Sequence, residues 1–229
     1  MPKIEPVPNW HKGEDMEEYI TILKAESAEV VEKKSKFIAD IFYIESVEEA
    51  ENIIKNIKKK YYDSRHNCIA YRVIDKKTLV ERCSDDGEPS GTAGGPMLNI
   101  LQKSNLCNVL VVVTRYFGGI LLGTGGLVRA YSEATQRAIE KCNLITKIKG
   151  ISAQVKLDYS NLEIFKYYCK NNNIRIVKID YMEDIYLEIE MKISTKNKIM
   201  KEIETKSLNI LDYKEVGEKY IMETVEKNK

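Results

Sequence analysis

The stretch VLVVVTRYFGGILLGTGGLVRAYSE, residues 109–133, decides the fold of the chain. It begins with an unbroken run of Val and Leu, which predicts a strand buried on both faces over residues 106–116. A helical pattern follows over residues 128–142. Because glycine has no Cβ and adopts positive φ without strain, the segment between them lets an anion or another backbone approach closely. That segment contains Gly118, Gly119, Gly123, Gly125 and Gly126.

Two arginines flank these glycines, Arg115 at the end of the strand and Arg129 in the helix. Free N–H groups at a helix N-terminus and guanidinium groups both bind phosphate or carboxylate, so the pattern favours an anion site. Known nucleotide motifs do not match, because no Lys follows Gly123 as in a P-loop and Val128 replaces the third glycine of the dinucleotide fingerprint. Tight packing at the glycines and a structural ion pair for Arg115 stay open as alternatives.

Bulk properties are those of an ordinary globular protein. The 229 residues suffice for one large or two small domains, with 43% hydrophobic and 31% charged residues. No apolar stretch approaches the ~20 residues that cross a bilayer, and the N-terminus lacks a secretion-signal pattern, so we expect a cytoplasmic protein. A net charge of +1 means that nucleic-acid binding requires a local basic patch. The five cysteines form no C-x-x-C pair, which favours reduced thiols over a zinc site.

The pattern divides the chain into three segments. Residues 1–18, rich in proline and acidic residues, are predicted to be a flexible extension. Residues 19–145 are predicted to form an α+β domain, and residues 146–229 a ferredoxin-like βαββαβ domain. The last domain has no glycine motif or clustered catalytic residues, so we interpret it as a scaffold or docking module.

Periodicity and caps predict the remaining elements. Ser46 and Glu49 have the spacing of a capping box at the start of a helix. In the first domain the predicted strands cover residues 19–31, 35–44, 67–74 and 78–83, and the predicted helices cover residues 46–62 and 97–103. In the second domain the predicted strands cover residues 151–158, 174–181, 185–193 and 208–222, and the predicted helices cover residues 160–172 and 195–206.

Three groups of residues carry candidate chemistry. Asp85, Asp86 and Glu88 lie in a glycine-rich loop and fit either a Mg²⁺ site or an ordinary turn. His66, beside Arg65 at a strand start, fits a general base, a phosphate contact or a structural residue. Aromatic residues 116 and 117, next to a cation, fit base stacking on single-stranded RNA or ordinary core packing.

Together these motifs resemble those of the YigZ/Impact family. The matching segments, in the family's order within residues 19–142, are 34–39, 65–71, 85–94, 114–119, 123, 125–127 and 129–131. The C-terminal part is similar to the smaller companion domain of bacterial members, which is similar to a translocation-factor domain of ferredoxin-like topology. The resemblance implies an N-terminal domain of the kind seen in the second domain of ribosomal protein S5. Eukaryotic relatives restrain the kinase that reports amino-acid starvation to the translation machinery, a role we do not transfer.

We therefore predict a non-enzymatic, RNA- or ribosome-associated regulator of translation that needs no cofactor and does not bind membranes. Two alternatives stay open. One is an enzyme acting on a phosphorylated or nucleotide-like small molecule, with a metal held by Asp85, Asp86 and Glu88. The other is a docking module for a translation factor or another protein. The predicted nucleic-acid or anion contacts are Lys36, Arg65, His66, Arg115, Tyr116, Gly118, Gly119, Gly123, Gly125, Gly126 and Arg129.

Overall fold

The computed structural model describes residues 17–76 and 78–222, which form two compact units. Residues 19–145 belong to the first unit, and residues 17–18 with residues 146–222 belong to the second. Each unit combines a sheet with helices, so the predicted α+β class is confirmed. Of the predicted extension, residues 1–18, the first 16 residues lie outside the described part of the chain.

The first unit is built on a five-stranded antiparallel sheet. After a short strand β1 (Glu18–Ile22), its strands are β2 (Glu26–Glu32), β3 (Ser35–Tyr43), β4 (His66–Asp75), β5 (Thr78–Ser84) and β6 (Val109–Tyr116). The order across the sheet is β2-β3-β6-β4-β5. The apolar β6 therefore lies at the centre, as its sequence predicts.

Helices cover both faces of this sheet. Helix α1 (Val47–Lys60) packs on one face, and α2 (Gly94–Lys103) and α3 (Gly123–Glu140) pack on the other. Successive β6 side chains alternate between the two cores, Leu110 toward α1 and Val111 toward the other helices. Burying each such side chain stabilises the fold by about 1.5–3 kcal/mol.

Two predicted elements in this unit differ most from the structure, one strand and one helix start. The single strand over residues 19–31 is two strands, because the chain leaves β1 after Ile22 and enters β2 at Glu26. No Gly or Pro lies within residues 19–31 to mark the break, so the pattern does not reveal it. Helix α3 begins at Gly123, five residues before its predicted start, and three of the five glycines are therefore helical.

The second unit has the predicted βαββαβ order. Its elements are β7 (Leu144–Leu157), α4 (Leu162–Asn171), β8 (Arg175–Tyr181), β9 (Ile185–Lys192), α5 (Ile193–Glu204) and β10 (Asp212–Met222). The antiparallel sheet has the order β10-β7-β9-β8. Phe165 of α4 and Ile199 of α5 are buried in its core. The ferredoxin-like topology is confirmed, although β7 begins at residue 144 rather than 151.

Candidate functional site

Three neighbouring strands bring several predicted site residues to one end of the first sheet. Arg115 of β6 is the Cα partner of Phe37 on β3 and of His66 on β4. The next residue, Tyr116, is the partner of Lys36. Because successive strand side chains point to opposite faces, the Arg115 and Tyr116 groups lie on different faces of the sheet. The predicted contacts are therefore divided between two surfaces.

Arg115 is buried, although the sequence predicts it as a nucleic-acid or anion contact. Only 6% of the residue is exposed, and its Nη1 donates to Oε1 of Glu88 at 2.7 Å. Its Nη2 donates to Oγ of Ser35 over a longer distance of 3.4 Å. The guanidinium carbon lies 5.5 Å from the ring centroid of Phe37. A ligand anion would have to displace Glu88, so Arg115 is a structural residue rather than a surface contact.

Glu88 is the counterion of this arginine. Its side chain is only 3% exposed, and the same Oε1 accepts the hydroxyl proton of Tyr131 at 2.9 Å. Burial raises the pKa of Tyr131, so its phenol stays neutral and donates. Since a buried charge needs a partner, this cluster joins the acidic loop, β6 and α3 into one structure.

Asp85 caps the start of α2. Its Oδ1 accepts N–H bonds from Ala93 at 3.0 Å and Gly94 at 2.8 Å, and its Oδ2 accepts one from Gly91 at 2.8 Å. Burial acts to raise the pKa of Asp85, but these three backbone donors outweigh it and hold the pKa below its usual range. An ordinary turn was one of the two alternatives that the sequence predicts for this loop. The bonds of Asp85 are those of a turn and a helix cap.

Asp86 binds a different set of donors. Its Oδ2 accepts the backbone N–H of Asn67 and its Oδ1 accepts Nζ of Lys58, both at 2.7 Å. The three loop carboxylates, Asp85, Asp86 and Glu88, are thus held by separate donors and do not converge as the metal alternative requires. Throughout residues 17–76 and 78–222, no group of three His, Cys, Asp or Glu side chains has the arrangement of a metal site.

His66 and Cys68 hold the same loop from β4. Nδ1 of His66 lies 3.0 Å from the carbonyl oxygen of Asp86, and Sγ of Cys68 donates to the carbonyl of Asp85 at 2.9 Å. Burial raises the pKa of Cys68 to about 12, which keeps it a thiol. The half-buried His66 therefore supports the loop from β4.

The five glycines do not form one anion loop. Gly118 donates its N–H to Oγ of Ser35 at 3.2 Å, and a Cβ added there would lie 2.0 Å from the carbonyl carbon of Lys34. The close approach that glycine permits at this position is therefore to the β2–β3 turn of the same chain. Gly119 lies in the open loop, whereas Gly123, Gly125 and Gly126 form the first turn of α3.

Exposed cations surround this end of the sheet. Lys33 and Lys34 form the β2–β3 turn with φ values of 44° and 65°, and both are exposed. Arg65 is exposed directly before β4, and the half-buried Lys36 pairs with Glu29 at 2.7 Å. We call Lys33, Lys34, Lys36 and Arg65 the basic rim. Arg129 is exposed on α3.

Sequence reasoning missed the basic end of α1. Lys58, Lys59 and Lys60 form its last turn, and the bond from Lys58 to Asp86 places that turn beside the acidic loop. The signal was present as three consecutive lysines at the end of an amphipathic helix. Nearby, the hydroxyl of Tyr116 donates to Asp63 at 2.7 Å, and this bond raises the pKa of Tyr116 to about 12.

Comparison with known proteins identifies the class to which this two-unit α+β fold belongs. A family model described as the Impact N-terminal domain matches residues 33–139. The IMPACT family member YvyE of Bacillus subtilis is 36% identical over 170 residues, covering 74% of this chain and 78% of that protein. An IMPACT family member of Haemophilus influenzae is 36% identical over 207 residues, covering 89% of this chain and 100% of that protein. The chain belongs to the IMPACT family, and the predicted membership is confirmed.

A solved structure supports the fold over nearly the whole chain. It is described as a hypothetical protein, is 27% identical, and superposes with a TM-score of 0.61 over 93% of this chain and 99% of its own. Among the helices described, none is both long and apolar enough to span a bilayer.

Proposed function

We propose that this IMPACT family member is a non-enzymatic regulator of translation that binds RNA, free or within the ribosome, through the basic rim. The observation that carries the proposal is the contrast in charge at this end of the sheet. The three loop carboxylates are occupied by donors of the protein itself, while Lys33, Lys34 and Arg65 are exposed. Such an arrangement leaves a locally positive surface on a nearly neutral chain.

The rim residues come from neighbouring strands at one end of the sheet. Lys36 lies on β3 beside Tyr116 of β6, and Arg65 directly precedes the β4 residue that pairs with Arg115. Two strand spacings separate β3 from β4, so their backbones lie about 10 Å apart. The partly exposed ring of Tyr116, the cross-strand partner of Lys36, adds a stacking surface for a base. Cations that track phosphates beside an aromatic ring are the usual means of binding single-stranded RNA.

The bonds of the acidic loop support a binding function over the enzymatic alternative. A general acid or base must be free to exchange a proton with a substrate. Asp85 accepts three backbone bonds and Glu88 neutralises a buried arginine, so both carboxylates already have structural roles. The link to translation rests on the family relation, and the proposed cytoplasmic location is the one that the sequence predicts.

Fluorescence anisotropy with a labelled 20-nucleotide oligouridylate, together with ribosome cosedimentation, tests the proposal. Arg65→Ala should weaken binding because it removes an exposed phosphate contact. The slope of log K against log salt should fall by about 0.7 for each lost contact. Arg137→Ala is the matched control, since Arg137 is an exposed arginine on α3 paired with Glu133 at 3.4 Å.

Two results would contradict the proposal. Unchanged affinity and salt slope in folded Arg65→Ala and Lys34→Asn variants would remove the basic rim from the binding surface. An equal loss in Arg137→Ala would indicate nonspecific adhesion. Circular dichroism of each variant establishes that it is folded before binding is interpreted.

A further inference from the structure

The loop between β6 and α3 presents large apolar side chains to solvent. Phe117, Ile120 and Leu121 are exposed by 51%, 43% and 84%. We call residues 117–122 the apolar tip. Single exposed apolar residues are common, but three within five residues of one loop mark an interaction surface.

The apolar tip is anchored at both ends. Gly118 is fixed on the β2–β3 turn by its bond to Ser35 and its close approach to Lys34. At the other end Leu122 is buried in the core of the first unit, where its Cβ would lie 3.1 Å from a Cβ added at Gly126. The ring of Phe117 rests 5.6 Å from the guanidinium carbon of Arg115. A surface held in this way loses little conformational entropy when a partner binds.

We propose that the apolar tip docks a protein segment that carries apolar and acidic side chains. The apolar part of the segment would cover Ile120 and Leu121. The acidic part would face Lys33 and Lys34, because the backbone of Lys34 lies against Gly118 and both lysines are exposed. This surface shares Lys33 and Lys34 with the basic rim, whereas Arg65 belongs to the rim alone, so Arg65→Ala tests RNA binding apart from docking.

Other occupants fit the tip less well. Ile120 and Leu121 have no ring to stack on a base and no group to pair with phosphate, which disfavours RNA. A bilayer core would leave the backbone N–H and C=O groups of this irregular loop without partners. A second copy of the chain, related by twofold symmetry, would bring its own Lys33 and Lys34 against the same residues. A different protein with carboxylates avoids all three problems.

Selection from a phage library of random 12-residue peptides, with the full chain immobilised, tests the docking proposal. Peptides are counter-selected on the Leu121→Ser variant, and enriched sequences are measured individually by calorimetry. We expect peptides that combine Leu, Phe or Trp with Asp or Glu. Leu121→Ser should weaken them about tenfold, as for a residue at the centre of an interface.

Matched controls separate the tip from the rest of the surface. Leu23→Ser changes a leucine that is 50% exposed and precedes the opposite end of β2, and it should leave affinity unchanged. Lys33→Asn and Lys34→Asn keep residues that tolerate positive φ, and each should weaken acidic peptides. Lys103→Ala changes the last residue of α2 and should leave the affinity for acidic peptides unchanged.

Several outcomes would overturn the docking proposal. These are enrichment of basic peptides, absence of any peptide whose affinity depends on Leu121, and equal losses in Leu121→Ser and Leu23→Ser. Three other occupants are tested with the same variants. They are vesicles of phosphatidylserine and phosphatidylcholine, oligouridylate, and a second copy of the chain, which is measured by sedimentation. A dependence on Leu121 in any of these three assays would assign the tip to a membrane, to RNA or to a second copy. Because RNA binding is measured through Arg65, its failure and the failure of docking are distinguishable.

Discussion

Replacing Glu88 with Gln removes the negative charge of a buried ion pair while keeping the shape of the Glu88 side chain. The Arg115 side chain is 7% exposed, so its charge stays buried in the variant. Its remaining bond, to Ser35, spans 3.4 Å, and its Nε has no hydrogen-bond partner among the described residues. Breaking one side of such a pair costs about 3–5 kcal/mol. Because Gln keeps an acceptor oxygen, we expect Glu88→Gln to lower the free energy of unfolding by about 3 kcal/mol.

A double variant tests whether the loss comes from the uncompensated charge. In a Tyr131→Phe background, where no hydroxyl needs Glu88 as an acceptor, Glu88→Leu with Arg115→Met removes both charges. Replacing a buried ion pair with apolar groups of similar volume is often neutral or stabilising. The double variant should therefore be more stable than either single variant in the same background.

Hydrogen exchange followed by mass spectrometry is the suitable measurement, since a chain of two units need not unfold in one step. Peptides that cover β6 report on the first unit, and peptides that cover β9 serve as the internal control. Protection of β6 should fall while protection of β9 stays the same. A loss below about 1 kcal/mol in Glu88→Gln, or an equal loss in β9, would refute our account of the ion pair.

Two further predictions concern the glycines and the acidic loop. Gly118→Ala should destabilise the first unit by about 1–3 kcal/mol because its Cβ meets the backbone of Lys34. Gly125→Ala, with open space around its Cβ, should stabilise α3 by about 0.4–1 kcal/mol. Hydrogen exchange of the first unit measures both, and equal effects would contradict the prediction. Asp85→Asn should cost about 0.5–2 kcal/mol through the weakened cap. Because the pKa of Asp85 is lowered in the folded state, its carboxylate stabilises the fold fully above about pH 4, and this stabilisation is lost as the pH falls through the folded pKa. An unchanged acid-unfolding profile in Asp85→Asn would contradict this assignment.

Local patterns were enough to predict most of the fold. The apolar run at residues 109–113 gave the central strand, and the N–H of Glu49 donates to Oγ of Ser46 at 3.1 Å as the capping spacing indicates. Helix α3 started earlier than predicted because glycine has a low helix propensity, so its first turn reads as a loop. Packing of Leu122 and Leu127 in the core overrides that preference. Propensity is local, whereas this helix start is decided by tertiary contacts.

The candidate site was harder to predict because its bonds join residues distant in the chain. Arg115 and Glu88 are 27 residues apart, and Arg115 and Ser35 are 80 apart. Arginine, glutamate and glycine in a motif suggest a ligand, yet spacing alone does not tell whether those groups bind each other. Here Glu88 and Arg115 bind each other, and Asp85 accepts backbone N–H groups at the start of α2. The N–H of Gly118 donates to Oγ of Ser35. The buried residues of these motifs therefore build the end of the sheet, and the proposed contacts fall on exposed residues of the basic rim and the apolar tip, some of which lie in the same motifs. Substitutions of the buried motif residues should reduce stability, and substitutions of the exposed rim and tip residues should reduce binding in a folded protein.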